Sequence, residues 1–287
     1  MSSEAVSGKP APYWLSLPGF ALFAVMLFVP LGMTILLSFY SFDYNQGIQP
    51  GFSLHNYAEV LGDSYFHEIF WRTFKYGLIV TGLCVLIGVP EAYILNRMRS
   101  PWRAISLLAI IGPLLISVVV RTLGWVILMG NNGLVNRGLD AIGLAKIPFI
   151  YTEAGVIVAL VHVMIPFMIV SVWAVLQKVD SATENAAASL GASQFKVFFK
   201  VVVPQVVPGI LSGSLIVFSL TTSAFATPSI IGGRRLKVAS TTIYDEFLNT
   251  LEWPLGAAIA MVLLIAIMVV ILSWNRLIER RYAQVFQ

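Results

Sequence analysis

Side chains capable of chemistry are few and scattered in this chain. The single cysteine, Cys84, excludes a disulfide framework and any paired-cysteine metal site, and His55, His67 and His162 have no metal-ligand spacing. No Ser/His/Asp, zinc-protease or paired-carboxylate arrangement supports catalysis, and no glycine- and lysine-containing phosphate loop is present. What remains is a handful of ions set in apolar surroundings. Arg121 lies within an apolar run, where insertion of a charge costs at least about 2.5–3.5 kcal/mol. Such an arginine either organises a gate or orients a carboxylate near a pathway mouth, or it snorkels to a loop within about 12 Å. Trp125, one turn later, can stack on an alkylammonium or anchor the span at an interface. Glu91 lies six residues before Arg97, so a salt bridge or an interfacial position weighs more than a solute contact. Asp245, Glu246 and Glu252 can attract a cation or simply be solvated. His162, near Pro166, reads as a packed residue rather than a proton carrier.

These residues need a membrane to position them. Of 287 residues, 58% are hydrophobic and 11% charged, against roughly 45–50% and about 25% in soluble domains. The mean hydropathy is +0.84. Eighteen Lys and Arg residues spread over the whole length make no nucleic-acid stripe. Spans of about 20 apolar residues are expected near 15–40, 76–95, 104–129, 154–176, 206–231 and 254–274. The first is too long for a signal-peptide core and is read as retained. The chain is expected to be a single all-α polytopic domain with its termini on one side. Segments on the side of the termini carry ten Lys and Arg residues, including three arginines in the short loop after Asn96, against seven on the other side. That asymmetry places both termini in the cytoplasm. The outer loops exceed 20 residues each and are expected to carry short helices or dock something. Gly209 and Gly213 in the fifth span permit close helix packing, at a pathway or subunit interface or within the chain itself.

One polar stretch stands apart, at 177–204. Ser181 and Glu184 are spaced as a capping box that opens a helix there. Ala186, Ala187 and Ala188 leave little bulk, so another surface can approach the backbone. Gly191 suits a left-handed C-terminal turn. Ser193 can cap a second short helix in which Phe195, Phe198 and Phe199 flank Lys196 and Lys200. Pro204 stands where the chain returns to the membrane. The product is a helix–turn–helix outside the bilayer.

That stretch resembles the EAA loop of membrane subunits of binding-protein-dependent ABC importers. Asn185-Ala186-Ala187, Gly191 and Val201-Val202-Val203-Pro204 match its pattern, with thirteen residues from Gly191 to Pro204. The usual Glu is Asn185 here, and the acid, Glu184, stands one place earlier. Segments 118–139, 228–258 and 52–57 are similar to the spermidine/putrescine permeases, a branch whose features opine, phosphonate and other amine importers share. The resemblance implies a type I ABC importer permease fold. It also implies a second permease subunit, two ATPase subunits that bind the ATP and Mg, and an extracytoplasmic solute-binding protein, with no cofactor in this chain. It implies that Asp180, Ser181, Glu184, Asn185, Ala186, Ala187, Gly191 and Pro204 form the coupling element that the ATPase grips. Arg121, Trp125, Asp245, Glu246 and Glu91 are then the candidates for pathway or gate. The rivals are a stand-alone secondary transporter or channel, which would need broken helices in matching halves and midplane charges, and an intramembrane enzyme, which lacks its constellation.

Overall fold

The computed structural model describes residues 16–233 and 235–282. Lys9 and Arg234, both used in the charge asymmetry, lie outside the described residues, as does Leu15 at the start of the first expected span. The chain order is α1 (Leu17–Ser38), β1 (Ser41–Asp43), β2 (Gly47–Gln49), α2 (His55–Gly62), α3 (Ser64–Arg97), α4 (Trp102–Ile111), a 3-10 turn (Gly112–Leu115) and α5 (Val118–Met129). Then follow α6 (Leu134–Ala141), α7 (Glu153–Leu176), α8 (Ser181–Ser189), α9 (Gln194–Val197) and a π-turn (Phe198–Val202). The chain ends with α10 (Val203–Thr222), α11 (Ala226–Gly232), α12 (Ala239–Leu248) and α13 (Trp253–Tyr282). Six helical stretches are long and apolar enough to cross a bilayer.

Packing follows from the buried stripes. On α3, Tyr76, Val80, Cys84, Gly88, Ala92 and Leu95 recur every three or four residues and form one buried face. This face meets Met168, Ile169 and Val172 of α7 and Val206 and Val217 of α10 in the main core. Gly209 and Gly213 make the α7–α10 approach possible. A Cβ at Gly209 would lie 2.9 Å from the Ser171 carbonyl oxygen, and one at Gly213 would lie 2.9 Å from the Met168 sulfur. Of the readings open for this glycine pair, packing inside the chain is the one observed. A smaller core joins α2, α3, α12 and α13 through Val60, Phe66, Ile69, Leu255 and Ile259. By contrast, α1 buries only Ser38.

Two spans differ from expectation. The third is not one helix over 104–129: Pro113 diverts α4 into the 3-10 turn, and Ile116 and Ser117 are extended before α5 begins. The fifth does not run to 231. It stops at Thr222, because Pro228 has no N–H for the Ala224 carbonyl and its ring would clash there. Ser240 Oγ supplies the missing donor to Ala224 at 2.7 Å. Conversely, the second span is longer than 76–95. Asp63 caps α3 at Tyr65, so twelve residues of the expected outer loop are helical.

The rest of that loop is a hairpin with Ser41 paired to Gln49, followed by α2. Buried Asn56 ties it to α1, donating to the carbonyls of Ser38 at 3.0 Å and Tyr40 at 2.8 Å. The other long loops carry α6 and α12, as anticipated. The 177–204 hairpin defines one end of the bundle, the elbow end, where α1 begins and α13 finishes. The far end holds the hairpin strands, α6, α11 and α12.

Candidate functional site

At the elbow end, local chemistry builds α8 and its turn. Asp180, rather than Ser181, is the N-cap: Ala182 N–H donates to its Oδ1 at 2.9 Å. The expected Ser181–Glu184 capping box is thus replaced by an Asp180 cap, and the Ser181 side chain lies outside the described side chains. Gly191 has φ +82°, and a Cβ there would touch nothing within 4 Å. The Ala192 N–H reaches the Ala187 carbonyl at 3.1 Å, and the Gly191 N–H reaches that of Ala188 at 2.9 Å. This crossed pair satisfies two otherwise open carbonyls and fixes the turn. Ser193 caps α9 at Lys196. Pro204 lies one residue inside α10, directly after the π-turn, in a helical stretch continuous from Gln194 to Thr222.

Glu184 points inward, its side chain only 12% exposed. It accepts a hydrogen bond from Tyr93 Oη at 3.1 Å and pairs with Arg97 of α3. The Arg97 guanidinium also lies 4.4 Å from the Tyr93 ring centre. The carboxylate therefore does not reach back to its own cap, because a full guanidinium is the stronger partner. Arg97 is thereby unavailable to Glu91, and the expected Glu91–Arg97 bridge is absent. Glu91 has no ion pair or hydrogen bond among the described residues. Asn185, Ala186, Ser189 and Leu190 face outward, Leu190 being 89% exposed. Phe195 and Phe199 stand beside them, with ring centres 4.5 Å apart. The hairpin offers small and apolar groups outward and an acid inward.

The broken spans meet within the bundle. The Thr122 and Thr227 hydroxyls hydrogen-bond at 3.1 Å, joining α5 to α11. Beside them lies a cavity of about 570 Å³ lined by Val118, Arg121, Leu160, Met164, Phe225 and Thr227, among others. Arg121 Nε and Nη1 are shielded there without a hydrogen-bond partner among the described residues. At those two nitrogens the guanidinium is not hydrated as a snorkelling one would be. Trp125 does not line the cavity; its indole N–H donates to His162 Nδ1 at 3.1 Å. His162 is accordingly a packed acceptor.

At the far end, a second pocket of about 290 Å³ lies between α11 and α12, lined among others by Phe225, Ser229, Lys237, Thr241, Tyr244 and Asp245. Lys237 Nζ pairs with Asp245 Oδ2 at 2.9 Å, and Asn249 Nδ2 donates to Oδ1 at 2.7 Å. Burial pulls the Lys237 ammonium down, but Asp245 and Tyr65 together outweigh it and set its pKa above the ordinary lysine value. The Phe225 and Tyr244 ring centres are 4.6 Å apart. Glu246 is not in the pocket. Its carboxylate takes the Thr250 hydroxyl at 2.6 Å, and its Cβ packs against Gly256. Glu252, before α13, has its carboxyl pKa raised by burial first and then by Glu59 and Glu246.

Arg72 and Lys75, counted in the sequence only as loop charges, belong to α3. Lys75 Nζ binds Glu153 Oε2 at 2.5 Å, at the favourable N-terminus of α7, while Arg72 Nη1 donates to the Lys237 carbonyl at 2.9 Å. The structure thus brings Arg121, Phe225 and Asp245 along one side and leaves Trp125, Glu246 and Glu91 aside. Sequence reasoning did not single out Phe225, Tyr244, Lys237 or Tyr93. Lys237 and Asp245, eight apart with opposite charges, carried the one available signal.

The fold has close counterparts. A crystal structure of a bacterial ABC transporter involved in the import of the acidic polysaccharide alginate superposes with a TM-score of 0.74 at 21% identity, over 93% of this chain and 94% of that one. The spermidine/putrescine transport system permease protein PotB of Salmonella typhimurium (strain LT2) is 29% identical over 266 residues, covering 91% of this chain and 92% of that protein. PotB of Escherichia coli (strain K12) is 29% identical over 254 residues, covering 88% and 92%. The family model for the binding-protein-dependent transport system inner membrane component matches residues 14–284. With that match over almost the whole length, and six apolar helices to carry it, the chain belongs to this family of multi-pass inner-membrane ABC importer permeases.

Proposed function

We propose that this chain forms half of the translocation pathway of an ATP-driven importer for a small amine such as spermidine or putrescine. It pairs with a second permease, two ATPase subunits that bind ATP and Mg, and an external solute-binding protein. The elbow end and both termini face the cytoplasm, and the α8 hairpin, with Asp180, Glu184, Asn185, Ala186, Ala187 and Gly191, seats in the ATPase. The observation that carries this reading is the hairpin itself. It is capped at Asp180, locked at Gly191, outwardly small and apolar, and bound to the bundle by Glu184. A loop with no docking partner has no use for exposed Leu190, Phe195 and Phe199 on a rigid elbow. The amine reading draws on the PotB similarity and on the aromatic and acidic far-end pocket.

A stand-alone transporter would also use broken helices, and α4–α5 and α10–α11 are broken. The family match over residues 14–284 favours the importer role instead. Arg121 favours a second reading of the solute, in which it bears an acid as well as an amine, as opines and aminophosphonates do. A guanidinium whose Nε and Nη1 have no hydrogen-bond partner among the described residues suits a carboxylate or phosphonate, not a bare polyamine.

The test is Gly191→Asp and Ala187→Glu in the assembled importer. Both are expected to abolish solute-stimulated ATP hydrolysis and uptake while the assembly still inserts. Gly191→Asp acts through the backbone, since no neighbour lies within 4 Å of the added Cβ. Wild-type uptake together with wild-type ATPase stimulation would end the docking assignment. Competition of uptake by putrescine, by spermidine and by an amino acid carrying both groups separates the two solute readings.

A further inference from the structure

The far-end pocket already holds an amine, and that amine belongs to the chain. We propose that Asp245 is the recognition acid for a solute's primary ammonium, and that Lys237, a butylammonium tethered to the backbone, keeps its place until the solute exchanges with it. The proposal rests on the amine reading above and identifies where such a solute first binds within this subunit.

Four observations support it. First, the Asp245 carboxylate is oriented independently of the lysine, because Asn249 donates to Oδ1 at 2.7 Å and leaves Oδ2 for an ammonium at 2.9 Å. Second, the remaining lining suits an alkylammonium: the Ser229 hydroxyl as an acceptor, and the half-exposed Tyr244 ring packed on Phe225. Third, Lys237 has somewhere to go. It also lines a neighbouring cavity of about 370 Å³, where Tyr65 offers its hydroxyl and where Glu68, already paired with Arg72, faces Arg72 and Arg235. Fourth, Phe225 borders both this pocket and the 570 Å³ cavity beside Arg121, so an amine held at Asp245 stands next to the route inward.

Exchange of one ammonium for another leaves the charge of the pocket unchanged. Asp245 is therefore never stranded as a partly buried, unpaired anion, which would be the costly state. An anionic solute gains nothing from the exchange, because it would meet Asp245 directly. The ion pair then serves as a filter for primary amines as well as a tie between α12 and the segment before it.

The experiment uses the intact importer, purified through a tag on the full chain, in proteoliposomes with saturating solute-loaded binding protein and radiolabelled putrescine or spermidine. Asp245→Asn is expected to lower the initial uptake rate by about tenfold or more, as loss of one partner of a hydrogen-bonded charge pair does. Lys237→Met, which removes the competing ammonium, is expected to raise that rate. The charge swap Lys237→Asp with Asp245→Lys, which rebuilds a merely structural bridge, is expected to stay as slow as Asp245→Asn. Basal ATP hydrolysis and assembly yield serve as the folding control for each variant. A swap that restores uptake, an Asp245→Asn rate equal to wild type, or a Lys237→Met rate no higher than wild type would each overturn the proposal while leaving the amine reading in place. Failure of the wild-type importer to take up either amine would remove the amine reading and the proposal together.

Discussion

Glu184 and Asn185 are neighbours in sequence but face opposite ways. Glu184 turns into the bundle against Arg97 and Tyr93, while Asn185 is exposed on the outer face of α8. The acid that matters to the fold of the hairpin is thus the earlier one, and an uncharged amide stands on its outer face. A comparable division appears at the far end, where Asp245 binds an ammonium and Glu246 only closes the end of its own helix. Glu252 supplies a pH test at this scale. Its carboxyl pKa is raised in the folded chain, first by burial and then by Glu59 and Glu246, so the fold prefers it protonated. The protonated preference stabilises the fold below the ordinary glutamate value of about 4.3 and is lost as pH rises through the folded value. Glu252→Gln is therefore expected to gain on wild type in thermal unfolding midpoint as pH rises from about 4 to about 7. Parallel curves for the two proteins in detergent over that range would contradict the shift.

At the scale of elements, glycine and proline decide what hydropathy does not. Gly209 and Gly213 let α10 lie against α7 so closely that an added Cβ would approach Ser171 or Met168 at 2.9 Å. Gly209→Val is expected to destabilise the bundle by about 1–3 kcal/mol through overpacking. Thermal unfolding in detergent measures this, and an unchanged midpoint would show that the helices can separate freely. Six apolar stretches were legible because a window of hydropathy reports length and composition, and α7 was anticipated to within a residue for that reason. The breaks before α5 and α11 were not, because a run of apolar residues scores alike whether or not Pro113 and Pro228 interrupt its hydrogen bonds. The hairpin elbow was readable from Gly191, since a left-handed turn has few other candidates. Its cap was misplaced by one residue because Asp180 and Ser181 are both good caps. The partner of Glu184 could not be read at all, since Arg97 lies 87 positions away in sequence.

For the molecule as a whole, the main core of α3, α7 and α10 meets α13 on one flank, α1 packs against α13, and the broken spans line the cavity beside Arg121. The Glu184–Arg97 contact is where the α8 hairpin joins that core. Arg97 is 48% exposed, so the pair should add less than about 1 kcal/mol to stability. Its expected value lies in transmission instead. Glu184→Gln should leave ATP hydrolysis by the assembly near wild type and lower solute moved per ATP several-fold. The swap Glu184→Arg with Arg97→Glu should recover much of the loss, and an uptake-to-hydrolysis ratio indifferent to all three substitutions would rule the contact out as a transmitter.

The helix that receives this contact runs 34 residues, about 51 Å from end to end, with Pro90 inside it seven residues before Arg97. Arg97 grips the elbow at one tip, and near the other Arg72 grips the Lys237 carbonyl while Lys75 grips Glu153. On the docking proposed above, a tilt imposed at the elbow tip would be divided at Pro90, where the missing hydrogen bond to Leu86 lets the helix flex, before it reached the segment that carries Lys237. Under that proposal the long helix itself, bending at Pro90, would link the elbow to the far-end pocket with no relay of loops between them.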